Sequence, residues 1–137
     1  MRRAQAMLCL ALPALVLAGC GAAGTTATSG FSGVKREVAQ AIADFQSDSS
    51  SAEEKKVCGN DLAASLVSRL GGKGSCEEAV KRQLNQVDDL EVGIESVDVA
   101  ADGKTATATV KSVHEGKTRP SSLSLVKEGG RWRIAGA

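Results

Sequence analysis

Apolar side chains recur every three or four residues in the first half of the chain and every second residue in the last third. The spacing Val34, Val38, Ile42, Phe45 predicts a helix over 32–46, with Lys35, Arg36, Glu37 and Asp44 on its other face. The serines of 47–51 make a polar break. Ser51-Ala52-Glu53-Glu54 has the form of a capping box, with Ser51 accepting first-turn amides and Glu54 reaching back. Cys58, Leu62, Leu66 and Leu70 then carry a helical stripe to Gly71-Gly72, a stop signal. Ser75-Cys76-Glu77-Glu78 forms a second capping box, opening a helix with Val80, Leu84 and Val87 on its apolar face.

From residue 91 the period becomes two. Val92 and Ile94 alternate, then Val97 and Val99 alternate one step out of phase, which predicts a β-bulge near Glu95-Ser96. Ala101-Asp102-Gly103 signals a hairpin turn. The next strand, 105–113, puts Ala106, Ala108 and Val110 on one face and threonines on the other. A turn over 114–117 leads to a strand with Leu123 and Leu125 inward. Glu128-Gly129-Gly130 turns again, and the last strand puts Trp132 and Ile134 inward and Arg131 and Arg133 outward. The expected fold class is α+β: three N-terminal helices packed on a curved four-stranded antiparallel sheet.

The first 30 residues have neither pattern. Arg2 and Arg3 precede an apolar run over 7–17, shorter than the roughly 20 residues of a membrane-spanning helix. A charged start, a short apolar run and small residues at its end fit a secretory signal. Leu17-Ala18-Gly19-Cys20 resembles the lipobox of bacterial lipoproteins, which implies cleavage before Cys20 and its diacylation. Each buried CH₂ contributes about 0.8 kcal/mol, so two or three acyl chains hold where one would not. An ordinary secretory signal with a chance cysteine is the competing reading. The stretch 21–30, GAAGTTATSG, lacks charge and large side chains and reads as a flexible tether; its threonines permit an edge strand. The organisation is then 1–19 signal peptide, 20–30 lipidated cysteine and tether, and 31–137 one α+β domain.

Composition narrows the functional classes. The 137 residues suit one domain. With two Phe, one Trp and no Tyr, the core rests on aliphatic side chains. Net charge is +1, and loss of Arg2 and Arg3 with the leader leaves 15 basic and 16 acidic residues. No basic cluster is present to bind nucleic acid. Gly71-Gly72-Lys73-Gly74-Ser75 is not a phosphate-binding loop: position 67 is Val, Gly74 follows the lysine, and a helix precedes.

Of four cysteines, Cys9 leaves with the leader and Cys20 takes lipid. Cys58 and Cys76 are expected to form a disulfide in an oxidising compartment; a pair of buried free thiols is the alternative. A fully helical 59–70 would rise about 18 Å, so the bond requires the glycine-rich stretch to run back along the helix, or a shorter or angled helix. Two cysteines and the single His114 do not supply the usual four ligands of a structural zinc site. No metal or cofactor is expected.

The ending Lys127-Glu128-Gly129-Gly130-Arg131-Trp132-Arg133-Ile134, after Gly103-Lys104-Thr105-Ala106-Thr107-Ala108-Thr109-Val110, resembles nuclear transport factor 2-like (cystatin-like, SnoaL-like) domains. The spacing of Cys58 to Cys76-Glu77-Glu78-Ala79 is similar to that of exported, lipid-anchored members. The resemblance covers roughly 31–137 and implies a cone with a pocket between sheet and helices. It says little of function. Members include isomerases, dehydratases and hydrolases as well as non-catalytic binding proteins.

No residue is assigned a catalytic role. The tyrosine donor of the ketosteroid-isomerase branch has no counterpart here. Asp44, Asp61, Asp88 and Asp89 lie near helix faces, Asp61 on the solvated side and Asp88-Asp89 as a helix-end pair. His114 could act as a base near neutral pH, but its place beside Glu115 and Gly116 reads as a solvated turn. Phe45, Trp132 and His114 are the candidate pocket-lining residues, with Trp132 read first as core. The leading expectation is a membrane-anchored exported lipoprotein whose domain is a non-catalytic module for a small ligand or an envelope protein, with a small, apolar or closed pocket. The alternative is a small pocket enzyme, which predicts a carboxylate or His114 in the cavity with a perturbed pKa. A purely structural envelope role is not separable from the first reading by sequence.

Overall fold

The computed structural model describes residues 27–86, 91–114 and 116–137. The segment read as a leader, Cys20, most of the segment read as a tether, Val87 and the Asp88-Asp89 pair lie outside the described residues. Helix α1, Gly33–Ser50, is followed by a short helix α2, Glu54–Lys56, and a π-helical turn, Val57–Asp61. Then come α3, Ala64–Arg69, and α4, Lys73–Leu84. Strands β1 (Glu91–Val99), β2 (Thr105–His114), β3 (Lys117–Glu128) and β4 (Arg131–Gly136) form one antiparallel sheet in the order β1-β2-β3-β4. The α+β class and the meander are as the periodicity implies.

The sheet follows its sequence pattern closely. Registry shifts between Ile94 and Ser96, at the expected bulge. Ala106, Ala108, Val110, Leu125, Trp132 and Ile134 are buried beneath the helices, together with Val92 and Val97. Gly129 and Gly130 both have positive φ, the conformation of a tight two-residue hairpin, so the turn needs side chains without Cβ.

The helical half departs from the pattern in three places. In α1 the buried face is Val38, Ala39, Ile42, Gln46 and Ser49, while Val34 is exposed. The helix therefore presents two polar side chains to the interior. Gln46 is justified by its partner: its Oε1 accepts the Val92 amide of edge strand β1 at 3.0 Å. Apolar spacing cannot report such a residue, because its place depends on a strand distant in sequence.

Second, α1 runs through the serine-rich break to Ser50. Ala52 has φ 53°, the Ala52 amide donates to Ser49 O at 3.1 Å, and the Glu53 amide donates to Asp48 O at 2.9 Å. That is a Schellman stop with alanine where glycine is usual. Ser51 is thus the C-cap of α1, and neither predicted capping box forms. Glu53 precedes α2 without a side-chain cap bond, and α4 begins at Lys73, before Ser75. Ala52→Gly is expected to stabilise the domain by about 0.5–1 kcal/mol by removing the left-handed cost of a Cβ, read from the midpoint of urea unfolding.

Third, the stripe Cys58–Leu70 is not one helix. The chain leaves the π-turn at Leu62 in extended conformation. Leu62 bridges Ile134 in parallel, and the Ala63 amide donates to Ile134 O at 2.8 Å. Further bonds hold this segment to the sheet: the Ala64 amide to Glu128 Oε2 at 3.2 Å, Arg69 Nη2 to Ala135 O at 2.7 Å, and Arg133 Nη1 to Gly59 O at 2.8 Å. The short α3 then meets a turn in which Gly71 and Gly72 have φ of 93° and 94°, and α4 comes back towards Cys58. Cys58 and Cys76 are joined by a disulfide with their Cα atoms 6.1 Å apart, and both are buried. The shorter helix is what satisfies the reach that a continuous 59–70 helix would have strained.

Candidate functional site

The break at Leu62 decides where Asp61 goes. As the last residue of the π-turn it is only 6% exposed, not on a solvated helix face as its spacing suggests. It lies on an open cleft of ≈ 390 Å³ between the first half of α1, the π-turn and the β3–β4 hairpin. From α1 the cleft takes Arg36, Glu37 and Asp44; from the hairpin it takes Arg131 and Trp132. The volume lies at the lower end of the ~300–1,000 Å³ range of small-molecule sites.

Asp61 is the electrostatic centre of the cleft. Burial pushes its pKa up to about 7; the carboxylates of Asp48 and Asp44 on α1 add to the rise, and Arg131 opposes it. A hydrogen bond towards the Asp48 carboxylate also favours the protonated form of Asp61. When ionised, its Oδ2, which has no donor among the described protein groups, is a buried charge without a hydrogen bond. Asp48 is itself drawn to Lys56 Nζ at 3.9 Å, a partly exposed and weak contact.

Trp132 adds an unmet donor. Its ring is buried, 6% exposed, and its Nε1 has no acceptor among the described protein groups. Lys127 Nζ stands 5.7 Å from the ring centroid and donates to Glu37 Oε2 at 3.3 Å, which ties the hairpin to α1 along the rim of the cleft.

The cleft therefore has both signs of charge on its walls, and two of the residues that border it, Asp61 and Trp132, each hold a buried polar atom without a partner among the described protein groups. It is open, and small at ≈ 390 Å³. Of the candidate pocket-lining residues, Trp132 borders the cleft, whereas Phe45 is half-buried against the core and is not part of it. The backbone of His114 ends β2 opposite Lys117, at the far end of β3 from the β3–β4 hairpin. Nothing in the sequence marks Asp61, Asp48 and Arg131 as a constellation. The only available signal is the run Gly59-Asn60-Asp61, poor in helix formers inside a helical stripe. Among the described residues, no group of three or more His, Cys, Asp or Glu is placed to hold a metal ion, and no helix is long and apolar enough to cross a membrane. Compared with protein-family models and with curated proteins, the chain matches none.

Proposed function

We propose that this chain is an exported lipoprotein, cleaved before Cys20 and tethered by lipid on that cysteine, whose nuclear transport factor 2-like domain captures a small polar ligand near the membrane surface. One observation carries the binding part: two buried polar atoms, Asp61 Oδ2 and Trp132 Nε1, lack partners among the described protein groups and belong to residues that border the same open cleft. Buried polar atoms are generally hydrogen-bonded, and both atoms are closed to solvent, so a ligand that supplies a donor and an acceptor would complete them once the two side chains shift to expose them. The tether rests on the lipobox-like Leu17-Ala18-Gly19-Cys20 and the uncharged stretch 21–30. Among the described residues that line the cleft, the carboxylates stand without a Ser, Thr, Cys or Lys nucleophile beside them.

A second reading has a specific observation in its favour. A carboxyl group titrating at about 7 in a cleft has the property required of a general acid or base. On that reading Asp61 would exchange a proton with a bound substrate, with Arg131 steadying a developing negative charge.

Intact-mass measurement tests the tether: the membrane-extracted chain is expected to begin at Cys20 and carry acyl mass, and a mature chain without that mass refutes the anchor. A thermal-shift screen of polar small molecules, run beside crosslinking capture, tests the module. Stabilisation by small molecules is expected. Capture of a protein partner with no small-molecule stabilisation would refute ligand capture.

A further inference from the structure

We infer that the end of the domain at which the tether enters docks on the bilayer surface, through cations that meet anionic lipid headgroups. The inference rests on the anchored reading above and adds which face of the domain the membrane takes.

Four parts of the chain come together at that end. Phe31 packs against the core and its amide donates to Thr28 O at 3.2 Å, which fixes the point of entry just before α1. The first turn of α1 stands beside the β3–β4 hairpin: Gly33 and Arg36 line the cleft together with Gly130 and Arg131, and Lys127 Nζ donates to Glu37 Oε2 at 3.3 Å. The β1–β2 turn is at the same end of the meander, where the Lys127 amide donates to Lys104 O at 2.8 Å. The β2–β3 hairpin lies at the opposite end of the sheet, near the last turns of α1, where Gln46 holds Val92.

The charges at the entry end are unequal in what they are free to do. Lys35, Arg36, Lys104 and Arg131 are exposed and make no ion pair among the described residues. The neighbouring acids are occupied. Glu37 holds Lys127, Asp102 Oδ1 accepts the Lys104 amide at 2.8 Å, and Glu128 Oε2 accepts the Ala64 amide and lies 3.8 Å from Arg133 Nε. Asp98 points to the sheet face away from the helices, since Val97 on the adjacent position is buried beneath them. Asp44 borders the cleft eight residues after Arg36, about 12 Å further along the helix from the entry end. Val34, in the same first turn as Lys35 and Arg36, is 42% exposed. An apolar side chain flanked by long cations is a composition that the headgroup boundary accepts.

Reach then selects this end. Read as a small-residue linker, the residues 21–26 between Cys20 and the described chain span about 12–15 Å root-mean-square. The 18 residues of α1 put its far end about 27 Å beyond its first turn. The field of a charged surface decays over about 8 Å at physiological ionic strength. Lys117 and Arg119 on the β2–β3 hairpin are also exposed and unpaired among the described residues, but they stand at the far end and outside that field.

The test uses the full chain extracted from membranes, in nanodiscs of phosphatidylcholine with or without phosphatidylglycerol. A headgroup-spin-labelled lipid broadens the backbone amide signals that come near it. In the anionic discs, broadening is expected over 33–37, 102–104 and 129–131, about threefold or more above the zwitterionic discs, and is expected to vanish at high salt. Each basic residue near an anionic surface contributes about fivefold in affinity, so Arg36→Gln with Arg131→Gln is expected to reduce the broadening at these residues to near its zwitterionic level. Lys117→Gln with Arg119→Gln is expected to leave it unchanged. Both pairs are exposed, so signals remote from the changes should match those of wild type and show that the fold is kept. Broadening that is equal at 117–121 and at the entry end, or equal in the two kinds of disc, overturns the inference while the anchor stands. A chain that enters neither kind of disc overturns the anchor, and the inference with it.

Discussion

Wild-type protein is expected to lose stability as pH rises from about 4 to 7, relative to the Asp61→Asn variant, by up to about 4 kcal/mol. The sign follows from proton uptake. The folded Asp61 carboxyl has its pKa pushed up to about 7, against a value near 4 in the unfolded chain. Between these values the native state holds a proton that the unfolded state has released. Stability from this group is therefore full below about pH 4, falls across the window, and levels off above about 7. The figure is an upper one, since small rearrangements and water entry soften the burial of a charge. The amide of the Asp61→Asn variant imitates the protonated carboxyl and can donate to Asp48. The variant should therefore be flat in this window and more stable than wild type at pH 8. Urea unfolding of both proteins at pH 5 and pH 8 checks this. A wild-type protein that gains stability over the window relative to the variant would show that Asp61 is ionised and well partnered.

Removing the Cys58–Cys76 bridge by the paired change Cys58→Ala and Cys76→Ala is expected to cost about 3 kcal/mol, or roughly 10–20 °C in Tm. The bonded residues are 18 apart in sequence, a loop whose closure costs about that much in the chain-entropy account. The bridge also has a local task. The π-turn, the extended Leu62–Ala63 and the short α3 supply few helical hydrogen bonds of their own, and α4 buries little besides Cys76. Without the bond, α4 has little apolar surface to hold it. Calorimetry of the paired variant, with amide exchange, should show the lost stability together with faster exchange over 73–84. Unchanged exchange there would mean that packing alone holds α4.

Bridge and carboxyl are linked through the turn 57–61. Cys58 ties its start to α4, Arg133 binds Gly59 O, and the Leu62–Ile134 bridge ties its end to β4. Asp61 is thereby held towards α1. Removing the disulfide is expected to loosen the site as well as the fold, so ligand response in the paired variant reports on how firmly the turn is held.

How much was legible varies with the range of the interactions. The sheet was readable apart from its strand ends, where His114 and Lys117 pair instead of turning, and a second register shift between Ser124 and Leu125: alternation marks which side of a pleat is buried, and a one-step slip in that alternation has to appear as a bulge, as it does between Ile94 and Ser96. The disulfide followed from counting the cysteines left once the first two are assigned to the leader and the anchor, and only its geometry was left open. The helical stripe Cys58-Leu62-Leu66-Leu70 misled because a four-residue repeat records burial, not hydrogen bonding. Leu62 is buried as the stripe requires, but its backbone is extended beside β4. The capping boxes misled for a related reason, since a cap motif has a meaning only where the helix starts.

From the amino-acid order alone came the α+β class, the four-stranded meander and the pairing of Cys58 with Cys76. Each depends on composition or on periodicity within a few residues. The cleft was decided only by tertiary structure. Asp61 and Trp132 stand far apart in sequence, and each is ordinary in its own segment. Their chemistry arises because β4 captures Leu62, turns the chain out of its helix and places one carboxyl beside another, away from water.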